Sequence, residues 1–146
     1  LWKGRDYGPL LARLALESDI VLLGLSEAEI LFGETEPDAI FDLLFREGGA
    51  RYAAIQNGAE GDWAADRRRR IAVTTQHCRR VDPIGAGDGF NAGFLAGILL
   101  GRELDTAGKM GAICGALATQ TTGDVEGYPD RKQMENALSQ TEEIYR

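Results

Sequence analysis

The 146-residue sequence predicts a single α/β domain in which helices and a mainly parallel sheet form layers. Three observations support this prediction. Short apolar segments typical of buried strands alternate with segments whose apolar residues recur at helical spacing. Glycine accounts for 19 residues, well above its usual share, and Gly33, Gly48 and Gly101 each follow a predicted helix directly. The length suits one domain, because soluble domains usually have about 100–200 residues.

The amino-terminal half is predicted to alternate between helices and strands. Ser26 opens an S-x-x-E pattern with Glu29, which is the signature of a capping box, and Gly33 marks the end of the helix that follows. The predicted elements are a helix over 6–17, a strand over 19–23, a helix over 26–32, a helix over 35–47 and a strand over 52–56.

The carboxy-terminal half is predicted to contain a hairpin and three helices. The hairpin has arms over 63–65 and 71–74, and the basic run Arg67–Arg70 forms its tip. Nucleic-acid or phosphate binding by this run is one interpretation, and a solvated hairpin tip on an acidic protein is the favoured one. The predicted helices cover 88–100, 105–121 and 131–145.

Composition excludes several classes of protein. The net charge of −7 argues against a general nucleic-acid binder, which is usually basic. No apolar run reaches the roughly 18–20 residues that span a bilayer, and the first residues lack the apolar core of a signal peptide. Cys78 and Cys114 do not form a disulfide framework. A cytoplasmic protein without membrane or nucleic-acid partners is therefore expected.

The segment from Val81 to Leu95 is the most informative. Gly85, Ala86 and Gly87 come directly before a predicted helix. The first N–H groups of a helix lack partners within it and, with the helix dipole, favour bound anions. Asp88 has two interpretations at this point: a cap of the helix, or a general base that takes a proton from an attacking hydroxyl. The spacing alone leaves both open.

This segment resembles the second signature of the ribokinase-like (PfkB) carbohydrate kinases over about 14 consecutive positions. The matching residues are Asp82-Pro83-Ile84-Gly85-Ala86-Gly87-Asp88, followed by Phe90, Ala92 and Gly93. The resemblance implies that Gly85, Ala86 and Gly87 form the anion hole for the transferred phosphoryl group. It also implies that Asp88 is the general base and contacts the sugar hydroxyl.

Two further segments resemble motifs of the same family. The strand–loop–helix around Glu27 is similar to the N-x-x-E motif, which implies that Glu27 organises Mg²⁺ through water. The Asn of that motif is Gly24 here. The turn with Gln56, Gly58 and Gly61 resembles the K-x-G-x-x-G turn near the nucleotide, with Gln56 in place of the Lys. An ordinary first-turn acid and an ordinary hairpin turn are the alternatives for these two segments.

The substrate class also follows from resemblance. The loop from Gly24 to Glu27 and the segment from Thr122 to Pro129 are similar to those of 2-keto-3-deoxygluconate kinases, and this implies that Asp124 faces the substrate. A simple turn aspartate is the alternative for Asp124. Other ribokinase-like substrates (fructose or a nucleoside) and a non-catalytic nucleotide-binding module remain the alternative functions.

The resemblance covers nearly the whole chain but only about the C-terminal half of the family's length. It implies a ribokinase-like nucleotide-binding and catalytic part over residues 1–146, without the N-terminal half and its lid. ATP, Mg²⁺ and a sugar or sugar acid are the implied cofactors and partners. A monovalent cation and a homo-oligomer are left open. We expect this chain to be weak or inactive as a kinase by itself, because phosphoryl transfer depends on positioning both substrates.

Overall fold

A computed structural model describes residues 7–74, 76, 78, 81–123 and 125–144, without the side chains of 141–144. The chain forms two compact units, one of Leu1–Asn57 with Asp62–Ala72 and one of Gly58–Gly61 with Val73–Arg146. In chain order the elements are α1 (Gly8–Leu16), β1 (Ile20–Gly24), α2 (Leu25–Phe32), α3 (Pro37–Asp42), a π-helical turn (Leu43–Glu47), β2 (Tyr52–Gln56), a 3₁₀ turn (Gly58–Glu60), β3 (Asp62–Asp66), β4 (Arg70–Val73), α4 (Ala86–Leu99), α5 (Leu104–Ala118) and α6 (Arg131–Ile144).

The four described strands form one sheet in the order β1-β2-β3-β4. β1 and β2 are parallel, with Gly24 opposite Gln56, whereas β2 and β3 are antiparallel, with Gln56 opposite Asp62. The prediction of a mainly parallel sheet is therefore wrong for this part of the fold. The reason is the length of the connections. A helical crossover joins β1 to β2, but only a short turn joins β2 to β3, and a short turn reverses the chain.

The core of the first unit lies between one face of this sheet and its helices. Inward-facing residues alternate along the strands, as the period of two in a pleated strand requires. Phe41 and Leu44 meet them from α3 and the π-helical turn and are almost completely buried. The buried members of this core are Val21, Leu23, Ala28, Ile40, Phe41, Leu44, Ala50, Ala53, Ile55 and Ala65.

In the second unit, α4 and α5 pack in direct backbone contact. Gly89, Gly93 and Gly97 recur every four residues and thus lie on one face of α4. A Cβ atom at Gly97 would lie 2.6 Å from the Cα of Ala107, which is shorter than any normal contact. Because these positions have no side chain, the two helix backbones can approach closely.

A smaller core joins α5 to α6. Met110, Ile113 and Cys114 of α5 contact Met134 and Leu138 of α6. Cys114 is 5% exposed and is a core residue, as its glycine- and alanine-rich surroundings predicted, and this burial raises the pKa of its thiol. Asp130 and Gln133 exchange backbone-to-side-chain hydrogen bonds of 2.8 and 2.7 Å and so start α6. Among the described residues, none of the helices is both long enough and apolar enough to cross a membrane.

Candidate functional site

The amino terminus of α4 is a candidate region of the second unit. Gly85 is the residue before the helix and has φ +80°, a left-handed conformation that glycine adopts without strain. Its carbonyl accepts the N–H of Gly89 at 2.8 Å, which starts the helix. The first-turn N–H groups, including those of Gly87 and Asp88, have no i−4 partner inside the helix. The positive end of the helix dipole adds to them, so this terminus attracts negative charge.

Asp88 lies in the first turn of α4 and is exposed. The cap interpretation is not what the structure shows, since Gly85 occupies the cap position and no side chain caps the helix. The Asp88 carboxylate makes no hydrogen bond or ion pair with any other residue that the structure describes. It is thus available to a ligand that approaches the N–H groups of the same turn.

Two contacts hold the segment that leads into α4. The N–H groups of Val81 and Asp82 both donate to the carbonyl of Thr119, at 2.7 and 3.1 Å, and so attach the segment to the end of α5. The Tyr128 hydroxyl donates to the carbonyl of Gly85 at 3.4 Å. Tyr128 also packs against the α5–α6 core. The loop after α5 therefore positions the α4 terminus, and Tyr128 is a positioning residue that the sequence analysis did not single out.

The carboxyl ends of β1 and β2 are a separate candidate region, which belongs to the first unit. Gly24 ends β1, Gln56 ends β2, and Asp62 begins β3; the register places them side by side. Ligands of open α/β sheets bind outside the carboxyl ends of parallel strands. Of the predicted site residues, the structure brings Gln56 and the loop before Glu27 to this same edge.

Glu27 has a local structural role. Its Oε2 atom accepts the backbone N–H of Gly24 at 2.7 Å, directly before the first residue of α2. The predicted capping pair of Ser26 with Glu29 is therefore wrong: α2 begins one residue earlier, and Glu27 is the acid at its third position. Glycine at position 24 has no side chain to cap the helix in return, so only the Glu27 half of a capping box forms. The carboxylate remains exposed.

The donor set near Glu27 suits magnesium held mainly by water. Among the described residues, no group of three or more His, Cys, Asp or Glu side chains could enclose a metal ion. Mg²⁺ does not require such a cage, because it usually keeps several waters and uses one or two carboxylates with substrate phosphates. A single exposed carboxylate in the first turn of α2 fits that mode of binding.

The backbone conformation explains why glycine occupies positions 58 and 61. Their φ values are +58° and +111°, in the region that side chains rarely adopt. Gly58 begins the 3₁₀ turn between β2 and β3. The turn thus requires both glycines whether or not a nucleotide binds there. Asp124 lies outside the described residues.

Asp62 is a buried acid that the sequence analysis did not single out. Its side chain accepts the N–H of Asn57 at 3.0 Å, across the turn. Burial raises the pKa of this carboxyl, and the hydrogen bond from Asn57 lowers it by less. Its position opposite Gln56 is set by the pairing of β2 with β3, which the sequence does not show.

Asp62→Asn is expected to stabilise the protein at neutral pH. The folded state holds a proton on Asp62 more tightly than the unfolded state, so stability falls as pH rises from the ordinary carboxyl value of 3.8 through the raised pKa. The side-chain oxygen of asparagine can still accept the backbone N–H of Asn57, and the amide does not ionise. Urea unfolding across this range would show the gain of the variant over wild type growing with pH. An equal gain from the exposed control Asp19→Asn, or a gain that is constant with pH, would contradict this account.

Comparisons with known proteins give the family. Residues 3–131 match the model of the pfkB family carbohydrate kinases. The chain is 36% identical over 127 residues to the 2-dehydro-3-deoxygluconokinase of Bacillus subtilis, covering 86% of this chain and 39% of that protein. It is 29% identical to a fructokinase of Escherichia coli, covering 93% of this chain and 47% of that one.

Solved structures agree with these relatives. A ribokinase II from E. coli, determined in complex with ATP and Mg²⁺, superposes with a TM-score of 0.80 at 25% identity, over 89% of this chain and 42% of that chain. The chain therefore spans less than half the length of the proteins it matches. The ribokinase-like α/β fold is confirmed in this part. The family match, which includes the α4 terminus, shows that the chain belongs to the pfkB family of carbohydrate kinases.

Proposed function

We propose that the full-length protein transfers the γ-phosphoryl group of ATP to a hydroxyl of 2-keto-3-deoxygluconate. The observation that carries this proposal is the α4 terminus, where the Asp88 carboxylate, which has no partner among the described residues, lies in the same helical turn as N–H groups that have no i−4 partner. The preference for this sugar acid rests on the B. subtilis relative, whose name gives the same compound as 2-dehydro-3-deoxygluconate.

In the proposed reaction, the Asp88 carboxylate accepts the proton of the sugar hydroxyl. The hydroxyl oxygen then forms a bond to the γ-phosphorus of ATP while the bond to the bridging oxygen breaks, and ADP leaves. The amides of Gly85, Ala86 and Gly87 stabilise the charge on the transferred phosphoryl oxygens. Tyr128 keeps Gly85 in place through its carbonyl. Magnesium, when bound, neutralises phosphate charge, and Glu27 would orient its water ligands.

We place the turn with Gln56, Gly58 and Gly61 near the nucleotide and Asp124 near the sugar. The location of Gln56 at the carboxyl edge of the sheet supports the first assignment. The second rests on the resemblance of its segment alone. We also place the reaction in the cytoplasm, where the two cysteines, which are free in the structure, stay reduced.

We further propose that residues 1–146 are the C-terminal, catalytic part of the kinase fold. β1 lies at the edge of the sheet and has one neighbour, β2, among the described strands. Beside it lies a groove of about 720 Å³, whose lining includes Leu11, Leu14 and Ile30. Leu14 and Ile30 are exposed, at 47% and 79%. Uncovered strand edges and exposed apolar grooves promote association with other protein segments, so folded domains usually cover them. Both features therefore support this proposal.

A substrate panel tests the proposed function. The full-length product of the reading frame is incubated with Mg-ATP and either 2-keto-3-deoxygluconate, fructose, ribose or a nucleoside, and ADP release is followed. We expect the highest kcat/KM with 2-keto-3-deoxygluconate. A higher value with fructose would favour the second candidate, which the E. coli fructokinase supports. Tight binding of Mg-ATP without turnover of any sugar would contradict both and favour a nucleotide-binding module.

Glu27→Gln separates the two roles of this residue. The glutamine oxygen can still accept the N–H of Gly24, so α2 should remain intact. The charge that orients the waters of magnesium is lost, and we expect the Mg²⁺ concentration for half-maximal activity to rise by about 10- to 100-fold. Glu29→Gln, at an exposed position of the same helix, is the control. An unchanged Mg²⁺ requirement in Glu27→Gln would leave Glu27 with the capping role alone.

A further inference from the structure

The peptide group that joins Gly85 to Ala86 is held from its carbonyl side. Its carbonyl oxygen accepts two hydrogen bonds, one from the N–H of Gly89 at 2.8 Å and one from the Tyr128 hydroxyl at 3.4 Å. A carbonyl oxygen has two lone pairs, so these two donors use its full capacity. The N–H of the same peptide group belongs to Ala86 and points to the opposite side, because a trans peptide is planar.

The N–H of Ala86 is only weakly engaged within the protein. It donates to the carbonyl of Pro83 at 3.4 Å, which is long for an N–H···O hydrogen bond. A ligand oxygen can replace this carbonyl at small cost, because a long hydrogen bond contributes little energy. The direction of the N–H follows from the plane of the peptide group, and the donors on the Gly85 carbonyl fix that plane.

Tyr128 is itself held in place by the loop after α5. Its backbone N–H donates to the carbonyl of Val125 at 3.1 Å. Pro129 follows it and disfavours a helical backbone at this position. A Cβ atom at Gly127 would lie 2.5 Å from the carbonyl oxygen of Leu117, so the loop runs directly over the last turn of α5. The hydroxyl is therefore presented from a fixed backbone.

The packing of the Tyr128 ring accounts for only part of the side chain. The ring contacts the core between α5 and α6, where a phenylalanine would serve equally well. The hydroxyl is the part that a core position does not require, although a tyrosine hydroxyl usually has a hydrogen-bond partner when it is buried. A purely structural hydroxyl is therefore the alternative, and it predicts no effect on phosphoryl transfer.

We propose that Tyr128 tunes the phosphoryl-transfer site through the Gly85–Ala86 peptide group: its hydroxyl orients and polarises the Ala86 N–H that binds the transferred phosphoryl group. A donor on the carbonyl makes the N–H of the same peptide group a stronger donor, because successive hydrogen bonds polarise one another. Tyr128 is thus a positioning residue that touches no substrate. This inference rests on the proposed function for its effect on the reaction, whereas the link between the hydroxyl and the N–H does not.

Tyr128→Phe removes the hydroxyl and keeps the ring, and Tyr52→Phe is the matched control. Tyr52 is half-buried, as Tyr128 is, but it lies at the end of β2 away from Gln56. With the full-length protein, Mg-ATP and 2-keto-3-deoxygluconate, we expect Tyr128→Phe to lower kcat by about 3- to 10-fold, the equivalent of one neutral hydrogen bond. Both KM values should stay nearly unchanged, and the control should keep its kcat. Thermal unfolding shows whether both variants are folded.

Aluminium fluoride tests the same link without any sugar. MgADP is added to isotope-labelled full-length protein, and aluminium fluoride is then titrated while the amide resonance of Ala86 is followed by NMR. In Tyr128→Phe we expect aluminium fluoride to bind about 3- to 10-fold more weakly, with an unchanged affinity for MgADP. The Ala86 amide should also shift relative to wild type before any addition, because the peptide group is polarised differently.

The two experiments separate a failure of this inference from a failure of the proposed function. If wild type phosphorylates no sugar but Tyr128→Phe still weakens aluminium fluoride binding, the proposed function is wrong and the inference holds. The inference is overturned if aluminium fluoride binds Tyr128→Phe as tightly as wild type, or if an active wild type keeps its kcat on this substitution. An equal loss in Tyr52→Phe would also overturn it. If wild type shows neither activity nor a response to aluminium fluoride, both are wrong.

Discussion

Asp88→Asn is expected to lower the kcat of the full-length protein by about 100- to 10,000-fold, the usual contribution of a general base. Asparagine has nearly the same shape as aspartate but cannot accept the proton of the attacking hydroxyl. The affinity for Mg-ATP should stay the same or rise, because the substitution removes a negative charge from a terminus that attracts anions. Steady-state kinetics and calorimetric titration with Mg-ATP measure the two effects separately.

Asp105→Asn is the matched control for this substitution. Asp105 is an exposed acid in the first turn of α5, as Asp88 is in the first turn of α4. The Asp105→Asn variant should lose little activity, since the family resemblance assigns Asp105 no role in the reaction. A kcat for Asp88→Asn within a few-fold of wild type would remove Asp88 as the base. A parallel loss of ATP affinity would instead indicate damage to the terminus.

Gly93→Ala is expected to destabilise the second unit, although the same change in an ordinary helix stabilises it by up to about 1 kcal/mol. The added Cβ would press on the Met110 carbonyl oxygen, lie 2.7 Å from the Met110 carbonyl carbon and 2.9 Å from Cys114 Cβ. The obstacle is mainly backbone, so α4 and α5 must separate. Overpacking of this kind costs about 1–3 kcal/mol. Because α4 carries Gly85 and Asp88, activity should fall with stability.

Urea unfolding compares Gly93→Ala with Ala92→Val, which adds volume at an exposed position of the same helix. The free energy of unfolding of Ala92→Val should fall only by the difference in helix propensity between alanine and valine, which is under about 0.7 kcal/mol. Equal or greater stability of Gly93→Ala would contradict the close packing of α4 on α5. Gly93→Leu should prevent the unit from folding, because no side-chain movement can make room beside a carbonyl.

Local signals predicted most of the elements. β2 begins and ends as predicted at Tyr52 and Gln56, and α2 ends at Gly33, which has φ +69°. A short apolar strand and a left-handed glycine are determined by a few neighbouring residues. The helix of the phosphoryl-transfer signature was likewise predicted to end at residue 100, and α4 ends at Leu99.

Features that depend on tertiary structure were missed. The start of α2 was misplaced because an S-x-x-E pattern does not show at which residue the preceding strand ends. In addition, the residue at the cap position is Gly24, which has no side chain that would mark a helix start in the sequence. The pairing of Tyr128 with Gly85 joins residues 43 positions apart in the sequence. Asp62 is buried, although an acid at the start of a strand gives no sign of burial in the sequence. None of these features produces a periodic pattern in the local sequence.

Glycine spacing located the α4 terminus to within two residues, since α4 begins at Ala86 rather than at residue 88, but spacing did not decide the chemistry of the terminus. Before the resemblance was considered, a cap and a base were both open for Asp88. The structure assigns the cap position to Gly85. The role of Asp88 as a base remains a proposal, and so do the roles of Glu27 and Gln56.

The central claim is that the transferred phosphoryl group binds at the N–H groups of Gly85–Asp88. Backbone amide NMR of the full-length protein tests it most directly. MgADP is added first, and then aluminium fluoride, a mimic of the phosphoryl group in transfer. We predict that the second addition shifts the amides of residues 85–88 more than those of the first turn of α5. If MgADP binds but these amides do not respond to aluminium fluoride, the claim is wrong.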